Sequence, residues 1–462
     1  MVRFFNVYHP KRTFALVCSE ASLIAISYMA SIFLHWGSQS YRVIQRPEVA
    51  GELALASTIW VLCLHNFDLY NLQRITNRRE TIIGLLKALS TASIILGVIL
   101  YFFPSLHVVR GVLIPATLIV LWFLLLVRFL FMRWGNFPMR RKRVALVGTG
   151  ELAARLAHEI RGHPEIAIDL VGYLDDLCHS ESRALPVQCI GSVDEIEGVV
   201  EKNKINTLII AVHNPRGHLP IDALLKLRVQ GVKVEYAHTV YEQITGKIAV
   251  ELLLPSWLIF SDGFQIHSFF LAIQRAYSFV IALTALAVSL PIIFLAALII
   301  RFESNGPIFY RQDRVGFNGV TFALFKLRSM RQDAERETGA VWSWKNDHRV
   351  TRVGRVLRRY RIDELPQLWN VILGDMNLVG PRPERPLFVE LLKAKMPYYE
   401  QRHVVRPGLT GWTQVRCRYG SSVEDHCERL CYDYFYIKNI SASLDLYILL
   451  LTIKDVLHGR GI

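Results

Sequence analysis

RAYSFVIALTALAVSLPIIFLAALIIR, residues 275–301, decides how this chain is organised. No charge interrupts the run between Arg275 and Arg301. As straight helix it reaches roughly 36 Å, enough to cross the hydrocarbon core of a bilayer. Crossing, however, would carry residues 301–462 to the far side. Pro291 removes a backbone hydrogen bond and kinks the helix, and Ser289 stands where it can satisfy part of the freed backbone. The expectation is therefore a re-entrant helix, broken at Ser289 and Pro291, that dips into the membrane and returns. An ordinary fifth span is the alternative, and hydropathy alone does not separate the two.

Four apolar segments precede this one, at about residues 13–35, 51–64, 81–103 and 111–132, and each approaches the length a span needs. The first is a poor cleaved signal peptide, because it is long, lacks a small-x-small site and is followed by further spans. Arginine and lysine placement gives an orientation. Arg3, Lys11 and Arg12 precede the first segment; Arg74, Arg78 and Arg79 separate the second from the third; Arg133, Arg140, Arg141, Lys142 and Arg143 follow the fourth. The other loops carry only Arg42, Arg46 and Arg110. By the positive-inside rule the N-terminus and everything after residue 133 are cytoplasmic.

At 462 residues, with 52% apolar and 20% charged residues, the chain is too long for one domain and too polar for a pure bundle. Beside membrane segments, its net charge of +14 suits an anionic lipid surface or a phosphorylated substrate, with no nucleic acid as partner. Seven cysteines without a CxxC pair predict reduced thiols, and Cys427, Cys431 and His426 read as helix packing before zinc. Between the spans and residue 275, Arg143–Val147 predicts a strand, Gly148-Thr-Gly150 a turn, Glu151–Arg161 a helix, and residues 167–174 and 207–212 two further strands. That alternation predicts a parallel, Rossmann-like sheet. Gly148-x-Gly150-x-x-Ala153, with Asp175 and Asp176 further on, matches the relaxed dinucleotide fingerprint, a weak signal alone. The expected fold is thus a mixed membrane protein. A four-helix transmembrane N-terminal bundle (1–135) precedes a Rossmann-like α/β middle domain (140–255). A re-entrant membrane helix with a small α/β cytoplasmic catalytic domain (265–462) follows.

The chemistry concentrates at Arg358-Arg-Tyr-Arg-Ile-Asp363-Glu364-Leu-Pro and Gly380-Pro381-Arg382-Pro383. Adjacent carboxylates ringed by guanidinium groups suit a nucleophile that must stay ionised and attack phosphorus, while the arginines bind phosphate oxygens. The other reading is a structural ion-pair network. Pro366 predicts a helix start after the pair, with Leu365 pushed out of the helical region. Lys326 and Arg328, two apart on a predicted strand, share a face that suits a phosphate clamp. The arginines at 349, 352, 355, 358, 359 and 361 predict an amphipathic helix on anionic headgroups. Tyr434, Tyr436, Leu444–Thr452 and Ile453 predict a second surface-lying helical region.

The runs Gly306–Met330, Asp347–Pro383 and Arg406-Pro-Gly-Leu-Thr-Gly-Trp412-Thr-Gln414-Val resemble the bacterial sugar transferase family, polyprenyl-phosphate hexose-1-phosphate transferases that initiate exopolysaccharide or O-antigen assembly. The resemblance is most specific over about residues 270–462. It implies a phosphotransferase moving hexose 1-phosphate from a UDP-sugar to polyprenyl (undecaprenyl) phosphate and releasing UMP. It implies Asp363 as nucleophile, forming a phosphosugar–aspartyl intermediate, Glu364 as its partner, and magnesium (Mg2+) on Asp363. Lys326, Arg328, Arg358 and Arg382 would bind phosphates, and Pro383, Arg406, Trp412 and Gln414 would contact the nucleotide. Cys417 departs from the family's usual polar or aromatic residue. Family likeness favours glucose or galactose as the sugar and places the protein in the bacterial inner membrane, with its catalytic domain on the cytoplasmic face. The lipid bilayer, a homodimer and other polysaccharide-assembly proteins are the implied partners. A membrane-anchored dinucleotide-binding oxidoreductase or nucleotide sensor is the competing class. It rests on the Gly148 turn alone, since residues 151–260 hold no Tyr-x-x-x-Lys pair. A non-catalytic scaffold would tolerate loss of Asp363 and Glu364, and both are present.

Overall fold

The computed structural model describes residues 2–4, 6–70, 78–134, 141–175, 185–212, 219–253, 257–258, 261, 263–265, 267–336, 339, 341–342, 347–417 and 422–460. Arg74, Arg140 and Asp176 lie outside them. The chain divides into two compact units.

The first unit, residues 1–4, 8–143 and 160–169, carries four long helices: α1 (Lys11–Trp36), α2 (Pro47–Asn66), α3 (Arg78–Phe102) and α4 (His107–Trp134). Each is long and apolar enough to cross a membrane. α2 begins four residues earlier than its apolar run because Pro47 occupies the first helical turn, where a missing N–H costs nothing. One core joins the four helices, with Ile24 and Tyr28 meeting Trp60, Leu85, Leu96 and Val120. The buried charges Glu20, Glu52 and Arg128 inside it are paired, as an apolar medium demands. Arg128 binds the Glu20 carboxylate at 2.8 Å and donates to the Leu69 carbonyl at 2.6 Å. Glu52 accepts from the Val109 backbone N–H.

The second unit, residues 5–7, 144–159 and 170–462, holds most of a parallel sheet and the elements that follow it. Strands β1 (Lys142–Val147), β2 (Ile168–Leu174), β3 (Cys189–Gly191), β4 (Thr207–Ile210) and β5 (Lys233–Tyr236) form a sheet in the order β3-β2-β1-β4-β5. The β2–β3, β1–β4 and β4–β5 pairs are parallel. Every residue of β4 is buried, in keeping with its apolar Leu208, Ile209 and Ile210. Gly148, at φ +98°, turns the chain from β1 towards α5 (Glu151–Gly162), and Thr149 donates to Asp175 at 2.5 Å. Cys189 is disulfide-bonded, which corrects the expectation that every thiol is reduced.

The 275–301 stretch lies within a single helix, α6 (Ser268–Glu303), continuous through Pro291. The expected break at Ser289 and Pro291 is thus corrected to a proline inside an unbroken helix. Pro291 leaves the Ala287 carbonyl without its helical donor, and the Ser289 hydroxyl donates to the adjacent Leu286 carbonyl at 3.1 Å. One stripe of α6 is buried along its whole length: Gln274, Ser278, Ala282, Ser289, Ile293, Ala296 and Ile300. Val280, Val288 and Phe294, off that stripe, are exposed.

α6 packs on a small α/β body. A hairpin pairs β6 (Phe309–Val315) with β7 (Thr321–Leu327), setting Tyr310 opposite Lys326. α7 (Arg352–Arg359), a 3-10 turn at Ile362–Glu364 and α8 (Gln367–Leu373) follow. The parallel pair β8 (Asn377–Val379) and β9 (Gly408–Thr410) precedes α9 (Trp412–Arg416), α10 (Val423–Lys438) and α11 (Ala442–Leu457). α7 is shorter than the arginine run predicted. Arg349 turns away to chelate Asp347 at 2.6 Å, Arg358 turns inward, and only Arg352, Arg355 and Arg359 face outward with Val356. α10 is core, with Tyr434 and Tyr436 buried, whereas α11 buries Leu444 and Ile448 on one face and leaves Leu446, Ile453 and Leu457 exposed on the other.

Candidate active site

A cleft of about 380 Å³ opens between the hairpin and the loop around Arg382. Lys326, Arg314, Arg358, Arg382, Asp363, Glu384, Tyr310 and Trp342 are among its lining residues. Three devices place the dyad in it. Arg361 adopts the left-handed conformation (φ 54°), reversing the chain after α7 so that Asp363 and Glu364 enter a buried turn. Asn370, fully buried on α8, accepts from the Phe325 N–H at 3.1 Å and donates to the Ala323 carbonyl at 2.7 Å, fixing the turn's following helix to β7. Thr351 caps α7 through the Gly354 N–H, and Gly354 lies so near Ser329 that a Cβ would meet its carbonyl oxygen at 2.0 Å. That close packing lets Arg358 donate to the Ser329 hydroxyl at 2.9 Å. Leu365 departs from expectation: it is helical (φ −54°, ψ −37°), because the 3-10 turn runs straight into α8.

The cations serve the second carboxylate. Glu364 accepts at one oxygen from Lys326 at 3.1 Å and Arg382 at 2.9 Å, with Arg361 at 3.9 Å from the other. Burial opposes its ionisation, but Arg382, Lys326 and Arg361 hold its carboxyl well below the ordinary carboxylate range. Asp363 accepts no hydrogen bond among the described residues and faces the cleft. Burial and then the Glu364 charge push its carboxyl up, against Lys326, Arg358 and Arg382. The cations therefore lower the carboxyl of Glu364, while that of Asp363 is raised.

Arg382 is aimed by its backbone. Arg402, buried in an ion pair with Asp433 at 2.7 Å, donates to the Arg382 carbonyl at 2.9 Å. Arg314 donates to the Pro383 carbonyl at 3.0 Å and pairs with Glu384 at 3.4 Å. So Pro383 contributes a carbonyl anchor to the Arg314 guanidinium.

Other expected site residues have structural work. Arg328 lies just beyond β7, and its guanidinium binds the carbonyls of Ser304 and Asn305 and the Ser304 hydroxyl at 2.7–2.9 Å, closing the C-terminal end of α6. A Cβ on Gly306 (φ +122°) would meet that guanidinium at 2.2 Å, so the glycine is needed for the approach. Arg328 thus caps the end of α6 and also stands in the wall of the cleft. Arg406 donates to the Gly374 carbonyl and lies over the Phe317 ring. Trp412 is buried, with its indole N–H on the Gly246 carbonyl at 2.8 Å, and it fastens the α/β sheet domain to the catalytic body. The same seam carries Lys247–Glu428 and Lys438–Glu242 ion pairs. Arg406 and Trp412 are not among the residues lining this cleft, whereas Gln414 lines a small chamber adjoining it. Sequence reading missed Arg314, Glu384, Arg402 and Asp433, whose roles depend on long-range pairing with no local spacing signal.

For magnesium, no group of three His, Cys, Asp or Glu side chains among the described residues is placed to hold a metal. Magnesium characteristically takes one or two carboxylates and completes its shell with water and substrate phosphate. The free oxygens of Asp363 beside the cationic cleft fit that mode.

A buried dyad in a cationic cleft, on a body carrying one long apolar helix, defines a membrane-associated enzyme of phosphoryl transfer. Residues 269–459 match the bacterial sugar transferase family, and residues 65–236 match a CoA-binding domain family. The undecaprenyl-phosphate glucose phosphotransferase of Komagataeibacter xylinus is 30% identical over 99% of this chain and 86% of its own length. The UDP-glucose:undecaprenyl-phosphate glucose-1-phosphate transferase of Xanthomonas campestris pv. campestris is 31% identical over 69% and 67%. The UDP-N-acetylgalactosamine-undecaprenyl-phosphate N-acetylgalactosaminephosphotransferase of Aeromonas hydrophila is 38% identical, over 52% of this chain and only 55% of its own length. This chain belongs to the bacterial sugar transferase family.

Proposed function

We propose that the protein transfers a sugar 1-phosphate from a UDP-sugar to undecaprenyl phosphate, the committing step of an exopolysaccharide or O-antigen. The carrying observation is the Asp363 carboxylate, free in a cleft whose Lys326, Arg358 and Arg382 can receive a diphosphate. Asp363 attacks the sugar-side phosphorus, an O–P bond forms and the bond to the UMP oxygen breaks; undecaprenyl phosphate then attacks the same phosphorus and regenerates the carboxylate. Glu364 holds Lys326 and Arg382 against the departing phosphate oxygens. Asp363 and the donor's diphosphate would hold magnesium, which supplies neutralisation of phosphate charge. Nothing in the comparisons supports the oxidoreductase reading. Membranes containing the protein, given undecaprenyl phosphate and a panel of UDP-sugars, should release UMP with at least one donor. No release with any glucose, galactose or N-acetylhexosamine donor would refute the activity.

We further propose that both ends of α6 lie on the cytoplasmic face of the bacterial inner membrane, where UDP-sugars are made. Both ends are tied to one body. Arg275 donates to the Ile372 carbonyl at 2.7 Å and to Val371, while Ile293 and Ile300 pack on Leu327 and Leu357. At 36 residues, roughly 54 Å of straight helix, a perpendicular crossing would separate contacts that the fold keeps together. Cysteines replacing the exposed Phe269 and Phe302, in a thiol-free background, should both resist an impermeant reagent added to spheroplasts. Outside labelling of residue 302 alone would sink this topology.

A further inference from the structure

Behind Arg382, a second, smaller chamber of about 50 Å³ adjoins the cleft. The two share Arg382, Glu384 and Arg429. Most polar groups on the chamber wall are satisfied: Arg402 binds Asp433 and the Tyr399 hydroxyl, and Thr413 donates to Asp433. Two are not. His426, only 3% exposed, has no partner for Nε2, and Gln414, whose amide nitrogen donates to the Leu409 carbonyl, has none for its buried Oε1. Leaving buried polar atoms unpaired is costly, so such atoms commonly mark a ligand's place.

We propose that this chamber is the subsite that reads the hexose of the donor, with His426 and Gln414 as its specificity-determining hydrogen-bonding residues. The proposal rests on the sugar-phosphate transferase reading above. The hexose is joined directly to the phosphate that Asp363 attacks, and Arg382, salt-bridged to the dyad, forms the boundary between cleft and chamber. The uracil lies a second phosphate and a ribose further away. Its better place is the wider cleft, where Trp342 packs with Phe388 at 4.6 Å between ring centres. The chamber is too small for a whole hexose but has room for about three waters, hence for the hydroxyl-bearing edge of one. Burial, and then the nearby Arg429 and Arg402 against Glu384, lower the His426 imidazole to about 4, so it is neutral and offers one donor and one acceptor nitrogen. Gln414 Oε1 adds an acceptor. A neutral, directional set of this kind distinguishes hydroxyl epimers, since a misdirected hydroxyl leaves both partners unpaired.

Full-length protein in lipid nanodiscs containing undecaprenyl phosphate tests this with His426→Phe, which keeps the ring on Trp342 at 4.4 Å, and with Gln414→Leu. The ratio of kcat/KM between the preferred UDP-sugar and its C4 epimer should fall at least about tenfold in either variant, with inhibition by UMP unchanged within twofold. An unchanged ratio overturns the subsite, and so does a UMP inhibition constant rising in step with the loss, which would assign the chamber to uracil. Should His426→Phe fail to fold, Gln414→Leu carries the test. Calorimetric titration of UDP-sugar against UDP makes the result independent of turnover: weaker UDP-sugar binding with unchanged UDP binding upholds the subsite, and equal loss of both overturns it. Absence of UMP release from every donor by the unaltered protein instead counts against the transferase reading.

Discussion

Replacing Asp363 by asparagine removes turnover and raises the thermal stability of the ligand-free protein. Asparagine keeps the shape of the carboxylate but cannot act as the attacking oxygen, so activity should fall below about a hundredth of the unaltered rate. The stability gain follows from the raised carboxyl of Asp363, which burial and the Glu364 charge produce. A carboxyl whose folded value lies above its unfolded one disfavours folding once it is ionised, so the penalty grows as pH rises through that folded value. The asparagine variant should therefore melt higher at pH 7.5, with the difference shrinking as pH falls through the raised value of the carboxyl. Thermal unfolding across that range, beside UMP release, checks both halves. Activity above the stated hundredth removes Asp363 as nucleophile. A melting temperature lowered at neutral pH would instead show Asp363 to be held ionised by its cations.

The second large effect lies outside the dyad, at Arg402→Met. Arg402 is buried and binds Asp433, Tyr399 and the Arg382 carbonyl together. Its removal strands Asp433, whose carboxyl burial already pushes up, in a site with no other cation bonded to it among the described contacts. Breaking one partner of a buried pair costs about 3–5 kcal/mol. It also releases the backbone that aims Arg382, so kcat should fall even in the folded fraction. Arg402→Met with Asp433→Leu should recover much of the stability but little of the activity, because the Arg382 anchor stays missing. Urea unfolding of the detergent-solubilised protein reads the first effect and UMP release the second. A single-variant loss under about 1 kcal/mol would reduce the pair to an exposed-type salt bridge.

Much of this was open to a reader of the sequence. Charge-free runs set the long helices, because apolar length is a local property and a bilayer demands it. Strand and helix alternation set the parallel sheet, and Gly148 marked its first turn. The Asp363-Glu364 pair and Arg382 were legible because the chemistry needs those residue types, and the fold brings them together with Lys326.

What sequence alone determined was therefore composition-driven: which segments are apolar, which are periodic, and where carboxylates and guanidinium groups concentrate. Only the tertiary structure decided which charge meets which. Arg328, expected on phosphate, caps α6; Trp412, expected on uridine, joins two domains; the cations beside the dyad hold Glu364 and leave Asp363 raised. Pro291 marked a break that the helix does not make, since packing of the Ala282–Ile300 stripe along one body outweighs the single hydrogen bond lost. Local pattern fixes an element's type because its period is short-ranged. An ion pair's partner, and hence its protonation, depends on residues tens to hundreds of positions away that only the folded chain brings within 3 Å.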